Sequence, residues 1–529
     1  MTINICFEYL MQSDNIELFE NFIDFKRFPN VEEDSYKIAK NWYKKNGIDY
    51  TLYNGMSIGN ILAFDIYKMN VENIKFILFL ISNNLINSSN ILNIYISKSY
   101  VLDSTILNLV EVLNIRHKII QSQKEINQFN FVTYQKSSAF EEGKIKNIIK
   151  KTLKNINNIL KYNRKEKVFI ETYHSTYEVV SNLSNKFISN RFFGKNLLSL
   201  YKPLYVSYED TYETILTDKT KLKNIVNYDF NSIIEVIYEK SYDENKLKTI
   251  ALIDKVVNSI EKNLITKAIF VREVSKLATI FFEYYKSKRF GKIYIWEHGF
   301  RDFSRYDNEL CEKVDEVFAW GEYDYSKYLA NDLKLKVHKV GYPQFLENSI
   351  KGSKRLFNLG KSKVLVLSPT GFSSFVTVSQ NKQVKILLDI VGILNQCGVK
   401  NDDILIKIHP GNMNQLFFQE ILSGKISHQN ILKDVSIYKA IDMVDLVIGE
   451  ASTVIYESSF SNVNYLCINW QSQVAKDTIF NENFVKTIYN VEDLKDVLKY
   501  QKFQDIETFK KKTIYNHSNI EVTNFLKNL

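Results

Sequence analysis

Asp445-Leu446-Val447-Ile448-Gly449-Glu450-Ala451-Ser452-Thr453 decides how the chain folds. An apolar run of strand length, Leu446 to Ile448, passes through a glycine into small hydroxyl residues that begin a helical pattern, Thr453 to Phe460. Outward from it the same alternation repeats. Short apolar runs stand at Val317 to Ala319, Val337 to Val340, Val364 to Leu367, Ile404 to Ile408 and Tyr465 to Ile468, and helical spacing fills most intervals, notably Gln383 to Asn395. Strands alternating with helices describe a doubly wound parallel sheet, because parallel neighbours need a crossover and the crossover helices cover both faces.

Ahead of this region the chain reads as helix-rich α/β. Ile145, Ile148, Ile149, Leu153, Ile156, Ile159 and Leu160 recur at three and four residues, and strands are expected at Ile91 to Ile96, Val168 to Ile170, Leu204 to Val206 and Ile293 to Ile295. Twelve of the 17 glycines lie at or beyond Gly291, so tight turns concentrate in the second half and the organisation changes near residue 300. A chain of 529 residues exceeds what one core organises, so two or three domains are expected.

Composition narrows the class. Hydrophobic residues at 45% and charged residues at 24% are globular proportions. The balance of 69 basic against 60 acidic residues gives +9, which favours anionic ligands or surfaces without requiring nucleic acid. Cys6, Cys311, Cys397 and Cys467 show no CxxC spacing, so neither a disulfide framework nor a zinc site is indicated and a reducing compartment fits. Met1 to Asn15 lacks the basic start and apolar stretch of a signal peptide, and the densest apolar run, Phe76 to Ile81, is too short to span a bilayer. A cytoplasmic protein is expected, with any membrane contact peripheral.

Ligands of open parallel sheets sit beyond the carboxyl ends of the strands, where helix amino termini offer NH groups to anions. Four strand ends carry unusual polar residues: Trp296-Glu297-His298-Gly299, Ser368-Pro369-Thr370-Gly371, His409-Pro410-Gly411-Asn412 and Gly449-Glu450-Ala451-Ser452-Thr453. Pro410 directs the His409 imidazole out of its strand end, where a phosphate could meet it; a histidine bonded within the turn is the alternative, and the companion motifs favour the phosphate. Ser452 and Thr453 can cap a helix and donate to phosphate oxygens, while Glu457, one turn on, is placed to reach a ribose hydroxyl or to stand solvated on the surface. A neutral His298 suits a general base toward an acceptor hydroxyl, although Glu297 and His298, as strand neighbours, point to opposite faces. Glu171 and His174 are further acid-base candidates that also fit a structural role. Asn54-Gly55-Met56-Ser57-Ile58-Gly59 reads as a turn and helix cap. The absence of GxGxxG and of the full Walker pattern GxxxxGK[ST] argues against dinucleotide and P-loop chemistry.

Between Ile293 and Trp470 the chain resembles GT-B enzymes of bacterial envelope synthesis, especially CDP-glycerol glycerophosphotransferases and the sialyl- and Kdo-transferases with His-Pro and Ser-Ser/Thr motifs. The carriers are His298-Gly299, Val340-Gly341-Tyr342-Pro343, Lys407-Ile408-His409-Pro410 and Asp445 to Thr453 with Glu457. Glu450 departs from the aspartate and tyrosine that glycerophosphotransferases carry before the serine pair. The resemblance implies an α/β fold of two Rossmann-like domains facing a cleft. Residues 1–315 would form a helix-rich acceptor-side domain, 316–500 the nucleotide-donor domain, and 501–529 a helical tail crossing back to the first. It further implies a metal-independent glycosyltransferase without cofactor that moves a sugar, such as sialic acid or Kdo, from a nucleotide-activated donor to a surface glycan or lipid-linked acceptor. Catalysis would fall to His298, Glu297 and His409. The donor would rest on Ser368, Thr370, His409, Pro410, Gly411, Glu450, Ser452, Thr453 and Glu457.

Other classes remain. A nonenzymatic binder of anionic polymer accounts for the +9 balance but not for the strand-end histidines; a helical scaffold or a sugar-nucleotide epimerase explains less of the pattern. Glu141 to Tyr162 reads as an amphipathic helix whose Lys144, Lys146, Lys150, Lys151, Lys154 and Lys161 oppose the apolar stripe. It either packs on the core or rests on the anionic cytoplasmic leaflet.

Overall fold

The computed structural model describes residues 2–86, 88–126, 167–171, 229–297, 299–331, 335–342, 355–369, 375–409, 415–470 and 477–515. The expected strand Leu204 to Val206 and the basic helix Glu141 to Tyr162 lie outside them. Three parallel sheets organise the described residues. One has four strands, in the order Glu17–Leu18, Thr2–Cys6, Ile91–Ile96 and Arg116–Gln121. A second has five, in the order Lys336–Lys339, Glu316–Ala319, Lys292–Ile295, Ile265–Phe270 and Lys167–Ile170. The third has six, in the order Ile431–Leu432, Ile404–Lys407, Val364–Leu367, Leu446–Gly449, Asn464–Ile468 and Thr487–Ile488.

Counted along the chain, the strands of the third sheet lie in the order three, two, one, four, five, six, which is the doubly wound Rossmann order. Its central strands are apolar and buried along their length, as parallel strands covered on both faces must be. The crossover helix Gln380–Gln396 shows how sequence sets the winding. Ser379 caps it by accepting from the Lys382 amide, and Val384, Leu387, Val391 and Leu394 turn one stripe to the core. Gly398, at φ +90°, ends it: its amide donates to Asn395 O and the Val399 amide to Leu394 O, turning the chain toward Ile404.

The first two sheets share one core with the helices Val31–Asn41, Ile58–Met69, Val71–Ser82 and Phe230–Asn263, forming the first, helix-rich unit. The boundary placed at 315–316 needs correction. Glu316–Ala319 and Lys336–Lys339 continue the register of Lys292–Ile295, so the change of sheet falls after Lys339 and before Val364. The regular alternation that begins at Asp315 therefore spans the end of one sheet and the whole of the next.

An apolar seam joins the units. Trp296, Trp320 and Tyr342 of the first pack with Leu365, Val447 and Tyr456 of the second in one buried cluster. The helix Ile506–Thr513 lies over this seam with Phe509 fully buried, and the Tyr515 amide donates to Trp320 O at 2.7 Å. Gly321 is required beneath it, because a Cβ there would stand 2.0 Å from the Thr513 backbone.

Candidate active site

The order of the third sheet reverses between Val364–Leu367 and Leu446–Gly449, and a crevice opens at the carboxyl ends of strands that diverge in this way. Ser368 and Glu450 leave the two strands on either side of it. His409 leaves Ile404–Lys407, the other neighbour of Val364–Leu367, so the His409 and Glu450 exits are two strand spacings apart, about 10 Å. Gly449 brings the crevice walls close: a Cβ there would meet Leu367 Cδ1 at 2.8 Å and the Tyr465 hydroxyl at 2.9 Å. Tyr465 in turn donates to Glu450 O and fixes the exit of the chain.

Ser368 and His409 are joined directly, the His409 amide donating to Ser368 Oγ at 3.1 Å while the Ser368 amide donates to Lys407 O. Burial, then the Lys407 charge, holds the His409 imidazole below the usual histidine range, so it is neutral at pH 7. It can offer a phosphate a hydrogen bond rather than a positive charge. Lys407, mostly buried, spends its ammonium on Ile408 O and Lys433 O and thereby pins its strand end to the next. On the other wall Ser452 Oγ accepts from the Val454 amide, and the Thr453 side chain caps nothing.

The first unit closes over this edge. A Cβ on Gly299, just beyond the strand Lys292–Ile295, would lie 3.6 Å from Thr453 Cγ2, so the two strand-end loops are in contact. The Phe303 amide donates to Asp477 O and Phe300 stacks edge-on against Phe480, extending that contact. Glu297 is engaged with Arg301, whose guanidinium also forks onto Glu273 at 2.8 and 2.6 Å. One buried guanidinium between two buried carboxylates leaves an excess negative charge. Glu273 stays below the usual carboxylate range, and burial pushes Glu297 up to about 7, against the pull of Arg301.

Glu457 lies within the seam rather than on the surface. Tyr342 donates to its Oε1 at 2.9 Å, Oε2 has no partner among the described residues, and burial raises the carboxyl to about 7. Glu171 accepts from the Val271 amide at 2.9 Å, tying two adjacent strands as a structural group would. His298, Thr370, Pro410, Gly411 and His174 lie outside the described residues. Sequence reading missed Arg301, which pairs with Glu297 across a loop and so leaves no helical spacing to announce it. It also missed the strand Ile265–Phe270 and with it Arg272 and Glu273 at its carboxyl end.

No family model matches the sequence, and no curated protein matches it. Solved structures do, 34 chains among them. The wall teichoic acid polymerase TagF aligns at 12% identity over 72% of this chain and 97% of its own, with a TM-score of 0.34. TagF soaked with CDPG aligns at 14% identity over 50% of this chain and 72% of its own, with a TM-score of 0.32. A protein assigned as a UDP-N-acetylglucosamine 2-epimerase, from Listeria monocytogenes, aligns at 11% identity over 69% of this chain and 95% of its own, with a TM-score of 0.42. These superpositions are loose, and the chain's own strand order carries the fold: two α/β units face each other across their strand ends, the second wound in Rossmann order, which is the GT-B architecture.

Proposed function

We propose that the chain is a metal-independent GT-B transferase that moves a sugar from a nucleotide-activated donor to a surface polysaccharide or lipid-linked acceptor. The observation that carries this is the reversal of strand order at Val364–Leu367, with Ser368, His409 and Glu450 to Thr453 gathered at its mouth and Gly299 of the other unit against Thr453. In this reading the second unit holds the nucleotide and the first the acceptor. His298 takes the proton of the acceptor hydroxyl as its oxygen bonds to the donor carbon, and the nucleotide leaves with the electron pair of the broken bond. His409, Ser368, Thr370, Ser452 and Thr453, with Pro410 and Gly411, meet the charge that grows on the departing phosphate. Glu297, adjacent to His298 in sequence and raised to about 7 by burial, supplies a further proton-exchanging group. The work is done at the cytoplasmic face of the membrane.

The test is a panel of CMP-, CDP-, UDP- and GDP-activated donors, scored by hydrolysis and by protection against melting. One donor should protect the wild type and protect His409→Ala far less. Protection by none of them, or identical affinity and turnover in His409→Ala, overturns the reading.

A further inference from the structure

The guanidinium of Arg301 spends all five of its N–H groups on three side chains. Nη1 donates to Glu273 Oε1 at 2.8 Å and to Asn308 Oδ1 at 2.9 Å, Nη2 to Glu273 Oε2 at 2.6 Å and to Glu297 Oε1, and Nε to Glu297 Oε1 at 2.9 Å. The side chain is 8% exposed, so these bonds are made away from water, where a charge-assisted fork is strong. Glu273 lies beyond the strand Ile265–Phe270, Glu297 beyond Lys292–Ile295, and Asn308 just ahead of the helical turn Leu310–Lys313. One side chain thus ties two adjacent strand ends to a later point on the chain that leaves the second of them. Its neighbours turn the other way, toward the second unit. Phe300 meets Phe480 with ring centroids 4.9 Å apart, Asp302 Oδ1 accepts from the Asp477 amide at 3.1 Å, and the Phe303 amide donates to Asp477 O at 3.0 Å.

The two carboxylates are not held alike. Glu273 receives the fork on both oxygens and also accepts from the Glu309 amide at 3.3 Å, which fits an anchor. Both bonds to Glu297 end on Oε1, and no hydrogen bond engages its Oε2 among the described residues. A pair serving stability alone would bond both oxygens of a buried carboxylate, because an unmade bond there costs free energy. The charged and titratable groups facing Glu297 are Arg301, Glu273 and Arg272, with Asp324 and Tyr328 from the helix Glu322–Asn331. Burial raises the Glu297 carboxyl, Arg301 draws it down and Glu273 pushes it up.

We infer that Arg301 is a positioning residue: it orients the Glu297 carboxyl, with Oε2 left for proton exchange, and holds residues 299–303 against the second unit. Its part in catalysis rests on the transferase reading; its control of Glu297 does not. The first test therefore needs no substrate. Infrared spectra of the full chain at about pH 5 to 9 follow the Glu297 carboxyl, identified as the band lost in Glu297→Gln. Arg301→Lys keeps a charge but cannot fork, so the inflection should rise by roughly one pH unit; Glu273→Gln removes a like charge and should lower it by roughly the same. Glu273→Gln also relieves the excess negative charge, so it is the variant that decides where Arg301→Lys does not fold. A merely structural Arg301 predicts a lowered melting temperature in Arg301→Lys and an inflection that does not move. Unmoved inflections, or shifts of the same sign in both variants, overturn the proposal. The second test uses whichever nucleotide donor protects the chain against melting. Turnover should fall roughly tenfold to a hundredfold in Arg301→Lys with the donor KM unchanged, because the donor rests on the other unit, and the pH profile should shift with the infrared inflection. A raised donor KM with kcat intact overturns the positioning role. Infrared shifts of the expected signs without turnover of any donor sustain the control of Glu297 by Arg301 and discard the transferase.

Discussion

Glu457→Gln isolates one buried charge. In the folded chain the carboxyl binds its proton more tightly than in the unfolded chain, being raised from its ordinary 4.5 to about 7 by burial, with the Tyr342 hydrogen bond opposing. The folded state therefore carries the extra proton between those two values, and stability contributed by this group falls as pH rises through the window. At 1.36 kcal/mol per pH unit the span amounts to about 3 kcal/mol, present below pH 4.5 and lost above 7. Glutamine resembles the protonated acid: its oxygen accepts from Tyr342 and its NH2 stands where the acid OH would. The variant should match the wild type near pH 5 and exceed it at pH 8 by up to about 3 kcal/mol, a rise of ~5–10 °C in melting temperature for a unit of this size. Melting curves at pH 5, 6, 7 and 8 for both proteins supply the comparison. The reasoning fails if the difference between them is the same at every pH. Donor protection in the same samples separates the two roles of Glu457: a ribose contact through Oε2 is weakened by the substitution, and a seam residue leaves it intact.

Three further outcomes are expected. Donor affinity should rise as pH falls from 8 to 5.5, because phosphate stabilises the imidazolium of a His409 whose free form is held below the usual range, and His409→Asn should flatten that profile in calorimetric titrations. Gly449→Ala should cost ~1–3 kcal/mol in melting or urea experiments, since its Cβ overlaps Leu367 and Tyr465, and should weaken nucleotide binding by spreading the crevice walls. Arg301→Gln leaves Glu273 and Glu297 buried without their cation, and a loss of roughly 3–5 kcal/mol is expected. Restoration of stability at pH 5, where the carboxyls can protonate, would confirm the cause.

The second unit was legible because its central strands are buried on both faces. Val364-Leu365-Val366-Leu367 has no polar residue to obscure it, and Ser379 and Gly398 mark the limits of the following helix. Strands that lack those conditions were missed. Arg116–Gln121 is an edge strand with a largely polar, solvent-facing sequence, and Ile265–Phe270 follows a 34-residue helix through Leu264 alone, in left-handed conformation without a glycine to announce the turn. Of the site, the residues at strand ends could be collected by rule, and their partners could not. Tyr342 and Glu457 are 115 positions apart, and Lys68, Arg272, Arg305 and Phe375 are brought together only by the meeting of the two units.

That meeting also decides where in the crevice an anion can sit. In a doubly wound sheet the helix after the first strand ordinarily turns its amino terminus to the ligand phosphate. Here the connection between Val364–Leu367 and the helix Gln380–Gln396 runs twelve residues, Ser368 to Ser379, against about two to six for such loops. The extra length carries the helix start away to the first unit, where its donors are consumed. Glu20 accepts from the Gln380 amide at 2.8 Å, Glu32 from the Thr377 amide at 2.9 Å, and Ser379 from Lys382. Two carboxylates at that end complement the helix dipole and would repel a phosphate. In the proposed transferase reading, donor charge is thus left to the opposite wall, Glu450 to Thr453, and to the strand end at Ser368 and His409. The same diversion places Phe375 against Lys68 and Arg305, so the loop that withdraws a phosphate site ties the two units together instead.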